Sequence, residues 1–305
     1  MRKINLILVT GMKSFLLSTV VSLVATTGFT QSIPAGSRYL GQTPPGSTPK
    51  ALPLFVNKGF FAAERIAISN DGRDIYYSEI KGYYPIRGEN IKRYCFSGGK
   101  WTGPFNLFDG YAPALSITGD TMFFERKDLE IKSETYISVK SNSGWSNPVR
   151  ILTKLNKAHY YQVTKNGNNY ISSIAGNGLG LNDWCKVSIN GSDTSATSLG
   201  NPLNTAGENL DFFISQDESF MIVTNRPALA ISFRNSDGSW TNPINFGPKI
   251  NFGLGSWGPW VTPDNKYLFY STGTIADYSD VKVYWVRIDG VIDSIKNLNT
   301  PYPIQ

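Results

Sequence analysis

Seven side chains able to do chemistry fall at regular intervals along this 305-residue chain: Glu64, Arg65, Tyr111, His159, Tyr160, Asp211 and Trp257. Each lies four or five positions ahead of a Ser or Thr (Ser69, Ser116, Thr164, Ser215, Thr262) that closes an apolar run. Two carboxylates, a guanidinium, the sole histidine, two phenols and an indole have the make-up of a small-molecule site, provided a fold makes them converge. Non-catalytic contacts of this kind would bind a glycan, a peptide or an envelope protein. The same residues also suit the bracing of a solvated channel, and both readings stand at this point. A third reading is catalytic. Glu64 and Asp211, or Glu208 in place of Asp211, are the acids a glycan hydrolase or lyase would use, and a glycosidase needs its pair about 5–10 Å apart.

Other chemistries are poorly supplied. His159 is the one available base for a serine hydrolase, and no Gly-x-Ser-x-Gly elbow accompanies it. One histidine and two scattered cysteines, Cys95 and Cys185, do not make a zinc ligand set. Ser236-Asp237-Gly238-Ser239-Trp240 has the letters of a sialidase turn without its spacing, and Asp277–Asp280 offers oxygen donors of the calcium kind. No phosphate-cradling or dinucleotide fingerprint occurs, so the expectation is no cofactor and no metal. The cysteines sit in non-neighbouring repeats, which points to two buried free thiols rather than a disulfide.

The elements that must position these groups are hairpins. Ile66–Ser69, Ala114–Ser116, Tyr161–Thr164, Phe212–Ser215 and Trp260–Thr262 each run into a tight turn and a second, aromatic-rich strand. The turn residues are Gly72, Gly119, Gly167, Glu218 and Asn265, at steps of 47, 48, 51 and 47. Gly accepts positive φ without steric cost, Asn tolerates it next best, and Glu218 fits worst. A period in this range built from strands predicts an all-β chain forming a single five-bladed β-propeller. Gly99-Lys100-Trp101, Gly144-Trp145 and Gly238-Ser239-Trp240, each followed three residues after the Trp by Pro, mark outermost strands. The fifth unit lacks this signature at Val291–Lys296. An N-terminal strand near Leu52–Val56 is therefore expected to close the last blade and remove the open seam. Two segments have no counterpart in other repeats: Trp257-Gly258-Pro259-Trp260, a stacking platform or blade packing, and Gly176–Leu181, expected as a flexible loop.

Ser69–Ser78 resembles the WD40-like propeller repeat of TolB-type exported proteins. Ile231–Gly247 is similar to that family's Ser-Phe-Arg…Asp-Gly-Ser-Trp segment. Pro263–Ser271 is similar to its Pro-Asp-Gly-Lys-Tyr-Leu-Phe-Phe-Ser element, with Asn265 for Gly. The resemblance covers roughly residues 51–300 and implies a propeller of the bacterial envelope or secreted class. It does not imply an activity, because propellers host binding proteins and enzymes alike.

Arg2, Lys3 and Lys13 precede or interrupt an N-terminal apolar run, the pattern of a secretory signal peptide. The expected organisation is a signal peptide over 1–31, an extended segment over 32–50 and the propeller over 51–305, with Met12 a second possible start. Without those three bases the formal charge falls from +6 to +3, which gives no reason to invoke nucleic acid or an anionic membrane surface. A monomer in the periplasm or outside the cell, with no membrane contact beyond the signal, completes the expectation.

Overall fold

All five turn residues occupy the left-handed region of backbone space, with φ of 70°, 74°, 76°, 60° and 57° in chain order. In each turn the N–H of that residue donates to the carbonyl of the Ser or Thr three positions earlier, at 2.8–2.9 Å. Ser69, Ser215 and Thr262 add a hydroxyl bond to the Asp two residues on. Identical local chemistry thus makes the same hairpin five times. The computed structural model describes residues 38–82, 88–127, 133–191 and 193–298. The expected signal peptide and the choice of start lie outside these residues.

The hairpins are the inner strand pairs of five antiparallel sheets, arranged as the blades of a propeller. Blade 1 comprises Phe61–Ile68, Asp74–Ile80, Asn90–Ser97 and Lys100–Asp109; blade 2 comprises Tyr111–Leu115, Thr121–Lys127, Ser133–Ser141 and Val149–Arg150. Blade 3 comprises His159–Val163, Asn169–Ser173, Asp183–Asn190 and Asp193–Ser198; blade 4 comprises Phe212–Ile214, Phe220–Asn225, Ala228–Phe233 and Ile244–Asn245. Blade 5 comprises Gly255–Val261, Tyr267–Gly273 and Lys282–Arg287, and its fourth strand is Lys50–Ala51. The inner strands are buried on both sides, Phe61–Ile68 and Asp74–Ile80 along their whole length, because neighbouring blades cover both faces. Trp145 of blade 2 packs edge-on against Tyr76 of blade 1, at 5.9 Å between centroids.

The closing strand is present, shifted a little N-terminally. Lys50 and Ala51 pair with Trp285 and Tyr284, and Leu52 N–H donates to Val283 O at 2.8 Å. Pro53 has no N–H to continue the ladder, which ends the strand before the expected Leu52–Val56. Val291–Lys296 is helical, inside a helix over Asp289–Leu298 whose Ile292 and Ile295 bury against Phe246 and Ile250. Cys95 and Cys185 are both free; Cys185 is buried as expected, whereas Cys95 is half-buried. Burial pushes the Cys185 thiol up to about 12.

Glu218, the odd turn residue, has a reason to be there. Its buried carboxylate accepts from Thr164 Oγ1 (2.6 Å), Asn168 Nδ2 (2.6 Å) and Tyr170 OH (2.9 Å) of the preceding repeat, and from Arg234 (2.6 Å) of its own. Burial acts to raise its pKa, but these hydrogen bonds outweigh burial and hold it at about 2. Glu218→Ala is therefore expected to cost about 2–4 kcal/mol, since it strips a charged acceptor from several donors at once. The stabilisation is complete above the usual carboxylate pKa and is lost as pH falls toward 2. Urea unfolding at neutral and acid pH checks this; an unchanged midpoint in the variant at neutral pH refutes it.

Candidate functional site

Near the propeller axis the inner strand pairs break register in four blades: between Ala63 and Ala67, Tyr111 and Ala114, His159 and Gln162, and Trp257 and Trp260. At each break one residue turns left-handed, at φ of 68° for Glu64, 51° for Ala112, 59° for Tyr160 and 62° for Gly258. Such bulges re-aim side chains and backbone N–H groups, here toward the axis. At Gly258 space also demands glycine, because a Cβ would lie 2.6 Å from Glu64 C and 2.7 Å from Arg65 N. The break in blade 1 holds one residue more than the others. Glu64 is thus the counterpart of Ala112, Tyr160 and Gly258, and Arg65 is the addition. Counting back from Ser69 aligns Glu64 with Tyr111, His159 and Trp257 instead, since an inserted residue is invisible to a fixed offset.

His159 is the centre of what results. Its Nδ1 lies 2.7 Å from Glu125 Oε2 and its Nε2 lies 2.9 Å from Asp211 Oδ1. Burial alone lowers an imidazole pKa, but the Glu125 charge and hydrogen bonds to Asp211 and Glu125 reverse the sign and raise His159 to about 10. At neutral pH it is an imidazolium donating from both nitrogens to carboxylates on two other blades. The remaining oxygens are also engaged. Tyr160 N–H donates to Glu125 Oε1 at 2.8 Å, and Gly258 N–H donates to Asp211 Oδ2 at 3.0 Å. Tyr160 OH donates to Glu64 Oε2 at 2.6 Å.

Arg65 staples three blades. Its Nε donates to Ala112 O and its Nη2 to Tyr161 O, both at 3.0 Å, and its guanidinium lies 4.4 Å from the Tyr160 ring centroid. Burial lowers its pKa, against the pull of Tyr160 and the surrounding carboxylates. Tyr111 is 0% exposed and shares a 2.7 Å hydrogen bond with Ser133. Burial first, then the nearby acids, raise both Tyr111 and Tyr160.

The fold therefore gathers Glu64, Arg65, His159, Tyr160 and Asp211 into one hydrogen-bonded plug, with Tyr111 packed beside Glu125. Trp257 sits at the rim, half-buried and edge-on to Tyr278 at 5.9 Å. Glu208 lies apart, on the connector between blades 3 and 4, 3.6 Å from Arg226. Trp260 belongs to blade packing, against Phe269 at 5.6 Å. The Gly176–Leu181 loop is pinned rather than free: Asp183 accepts from Leu179 and Gly180 N–H, and Leu181 N–H donates to Gly207 O.

Glu125 is the member that the sequence reading missed, because it lies on the second strand of its blade. A signal was present. The residues facing the register breaks are Ser78, Ser172 and Ser271 in three blades, and Glu125 stands where serine recurs. A buried carboxylate in a serine position requires a cation, and His159 in the next repeat is the matching exception. Among the described residues no group of three or more His, Cys, Asp or Glu is placed to hold a metal, and no helix is long and apolar enough to cross a membrane.

No family model and no curated protein matches this sequence. Solved structures do. TolB from Acinetobacter baumannii is 14% identical with a TM-score of 0.48, over 73% of this chain and 56% of that one. A putative TolB from Agrobacterium tumefaciens is 17% identical with a TM-score of 0.47, over 74% and 77%. The GH43_1 enzyme from Xanthomonas citri is 10% identical with a TM-score of 0.49, over 78% and 91%. The chain is a five-bladed β-propeller. TolB-type proteins are among its structural neighbours, as are enzymes. The chain spans just over half the length of the Acinetobacter TolB.

Proposed function

We propose that this chain is an exported, non-catalytic recognition propeller that binds a glycan, peptide or envelope protein at the channel mouth, with no cofactor. One observation carries the reading: the acids that catalysis would require are committed to holding the ring together. Both Asp211 oxygens accept hydrogen bonds, one from His159 and one from Gly258, and Glu64 accepts from Tyr160. A general acid or base has to exchange its proton with substrate, and these groups face buried partners instead. Of the seven site residues, His159, Asp211 and Trp257 reach toward solvent at the rim, with 13% and 10% of the first two side chains exposed. Trp257 makes the contact, and His159 and Asp211, whose ring nitrogens and carboxylate oxygens are all paired within the ring, shape the mouth together with Glu64, Arg65, Tyr111 and Tyr160. The N-terminal basic–apolar pattern supports export to the periplasm or beyond.

Thermal-shift screening of the purified protein against glycans and peptides, with product analysis of each hit, tests the proposal. Ligands are expected back intact, and Trp257→Ala is expected to weaken binding about tenfold or more, the loss of one aromatic contact. Cleavage of a ligand that Glu64→Gln abolishes would overturn the reading in favour of a carbohydrate-active enzyme.

A further inference from the structure

The position facing the register break carries Ser78, Glu125, Ser172 and Ser271, and its counterpart in blade 4, where the inner pair runs without a break, is Thr224. The four side chains at the breaks bond to backbone of the next blade or the connector leading into it. Ser78 Oγ accepts from Ala112 N–H at 2.9 Å, and Glu125 accepts from Tyr160 N–H at 2.8 Å. Ser172 donates to Asn209 O at 2.6 Å, and Ser271 donates to Glu64 O at 3.1 Å. Thr224 breaks the pattern. The corresponding N–H in blade 5, that of Gly258, is taken by Asp211, and the Thr224 hydroxyl is buried with no partner among the described residues. The hydroxyl is closed off from solvent, so it marks where the ring's bonding pattern lapses, next to the cleft rather than open to it.

Thr224 lines a cleft of about 510 Å³ where Trp184 of blade 3, the connector to blade 4 and Val223–Arg226 meet. That volume lies within the roughly 300–1,000 Å³ typical of small-ligand sites. We propose that this cleft is a second binding site, distinct from the channel mouth, for a small neutral saccharide. Pro202 and Pro243 offer C–H surface on its wall. Asn225 and Asn242 offer side-chain amides that no other described residue engages. Each amide pairs a donor with an acceptor, which is what neighbouring hydroxyls on a sugar ring present. Glu208 and Arg226 face each other at the rim at 3.6 Å, with 40% and 53% of their side chains exposed. So loose and wet an ion pair is worth little, and sugar hydroxyls can take up either partner readily. Together the two charges cancel, so an anionic or cationic ligand would enter with its own charge uncompensated.

Isothermal titration with glucose, galactose, N-acetylglucosamine and maltose tests this, with glucuronate and alanylalanine as charged comparators. At least one neutral sugar is expected to bind. Asn225→Ala and Asn242→Ala should each weaken it about tenfold, the effect of losing one good hydrogen bond, with melting temperatures near wild type. Thr224→Val, close in shape but without the buried hydroxyl, should keep or raise the melting temperature and leave the sugar affinity near wild type. Trp257→Ala should leave this affinity unchanged, which separates the cleft from the channel mouth. The proposal fails if none of the four sugars binds, or if binding survives both asparagine variants. It also fails if Trp257→Ala removes binding, or if a charged comparator binds in place of the sugars.

Discussion

His159→Leu is expected to destabilise the protein by about 3–5 kcal/mol, because it leaves Glu125 and Asp211 buried without the cation between them. For a chain of this size that corresponds to a melting temperature lower by roughly 10 °C. Glu125 is 1% exposed and Asp211 7%, so water cannot replace the lost donors at low cost. The pH dependence gives an independent check. The folded-state pKa of His159 is raised from 6.5 to about 10, so the bound proton favours the native state. That contribution is fully present below pH 6.5 and is lost as pH rises toward about 10. Wild-type stability should fall across this interval, while His159→Leu, with no imidazole to titrate, should lack that part of the slope. Tyr160, Glu64 and Arg65 surround the group and stay in place in the variant, so the difference between the two profiles isolates His159. Parallel profiles from pH 6.5 to 10 would sink the assignment of an imidazolium at the axis.

Deleting residues 48–57 is expected to abolish the cooperative unfolding transition altogether. The segment supplies the last strand of blade 5 through Lys50 and Ala51, and Leu52, 4% exposed, enters the cluster shared by Trp285, Phe269 and blade 1 residues Ile66 and Tyr77. Tyr39 packs edge-on against Phe269 and Trp285 in the same cluster, and Gln42 accepts from the Trp285 indole. Without residues 48–57, Lys282–Arg287 becomes an open edge and the first and last blades lose the chain that joins them. The point variant Leu52→Ala removes the packing alone and should cost about 2–5 kcal/mol. Thermal melts followed by circular dichroism read both. A truncated chain that melts at the wild-type temperature would show that blade 5 closes the ring by packing alone.

Export remains the part of the functional reading that rests on residues 1–31, and the channel-mouth reading rests on which groups the ring leaves exposed. Charged groups pair with one another along the axis, with His159 between Glu125 and Asp211, and the proposed recognition is assigned to the rim and to the clefts between blades.

Local chemistry was legible in the sequence. Gly72, Gly119, Gly167, Glu218 and Asn265 announce a left-handed turn through their own backbone preferences and the Ser or Thr before them, and their spacing alone counts the blades. Pro53 contains the stop of the closing strand, which spans Lys50–Ala51 rather than Leu52–Val56. The amphipathic spacing of Ile292 and Ile295 likewise held the C-terminal helix, although a repeat-based reading assigned those residues to the fifth unit. What only the tertiary structure decided is how distant groups pair. The extra residue in the blade 1 bulge shifts Glu64 by one position, and no fixed offset reveals it. Glu125 reaches His159 from a second strand, and Glu218 serves the preceding repeat, because a closed ring brings residues 34 and about 50 positions apart within hydrogen-bond reach. Turn preference is a property of a few adjacent residues, whereas the satisfaction of a buried charge depends on everything the closed fold places around it.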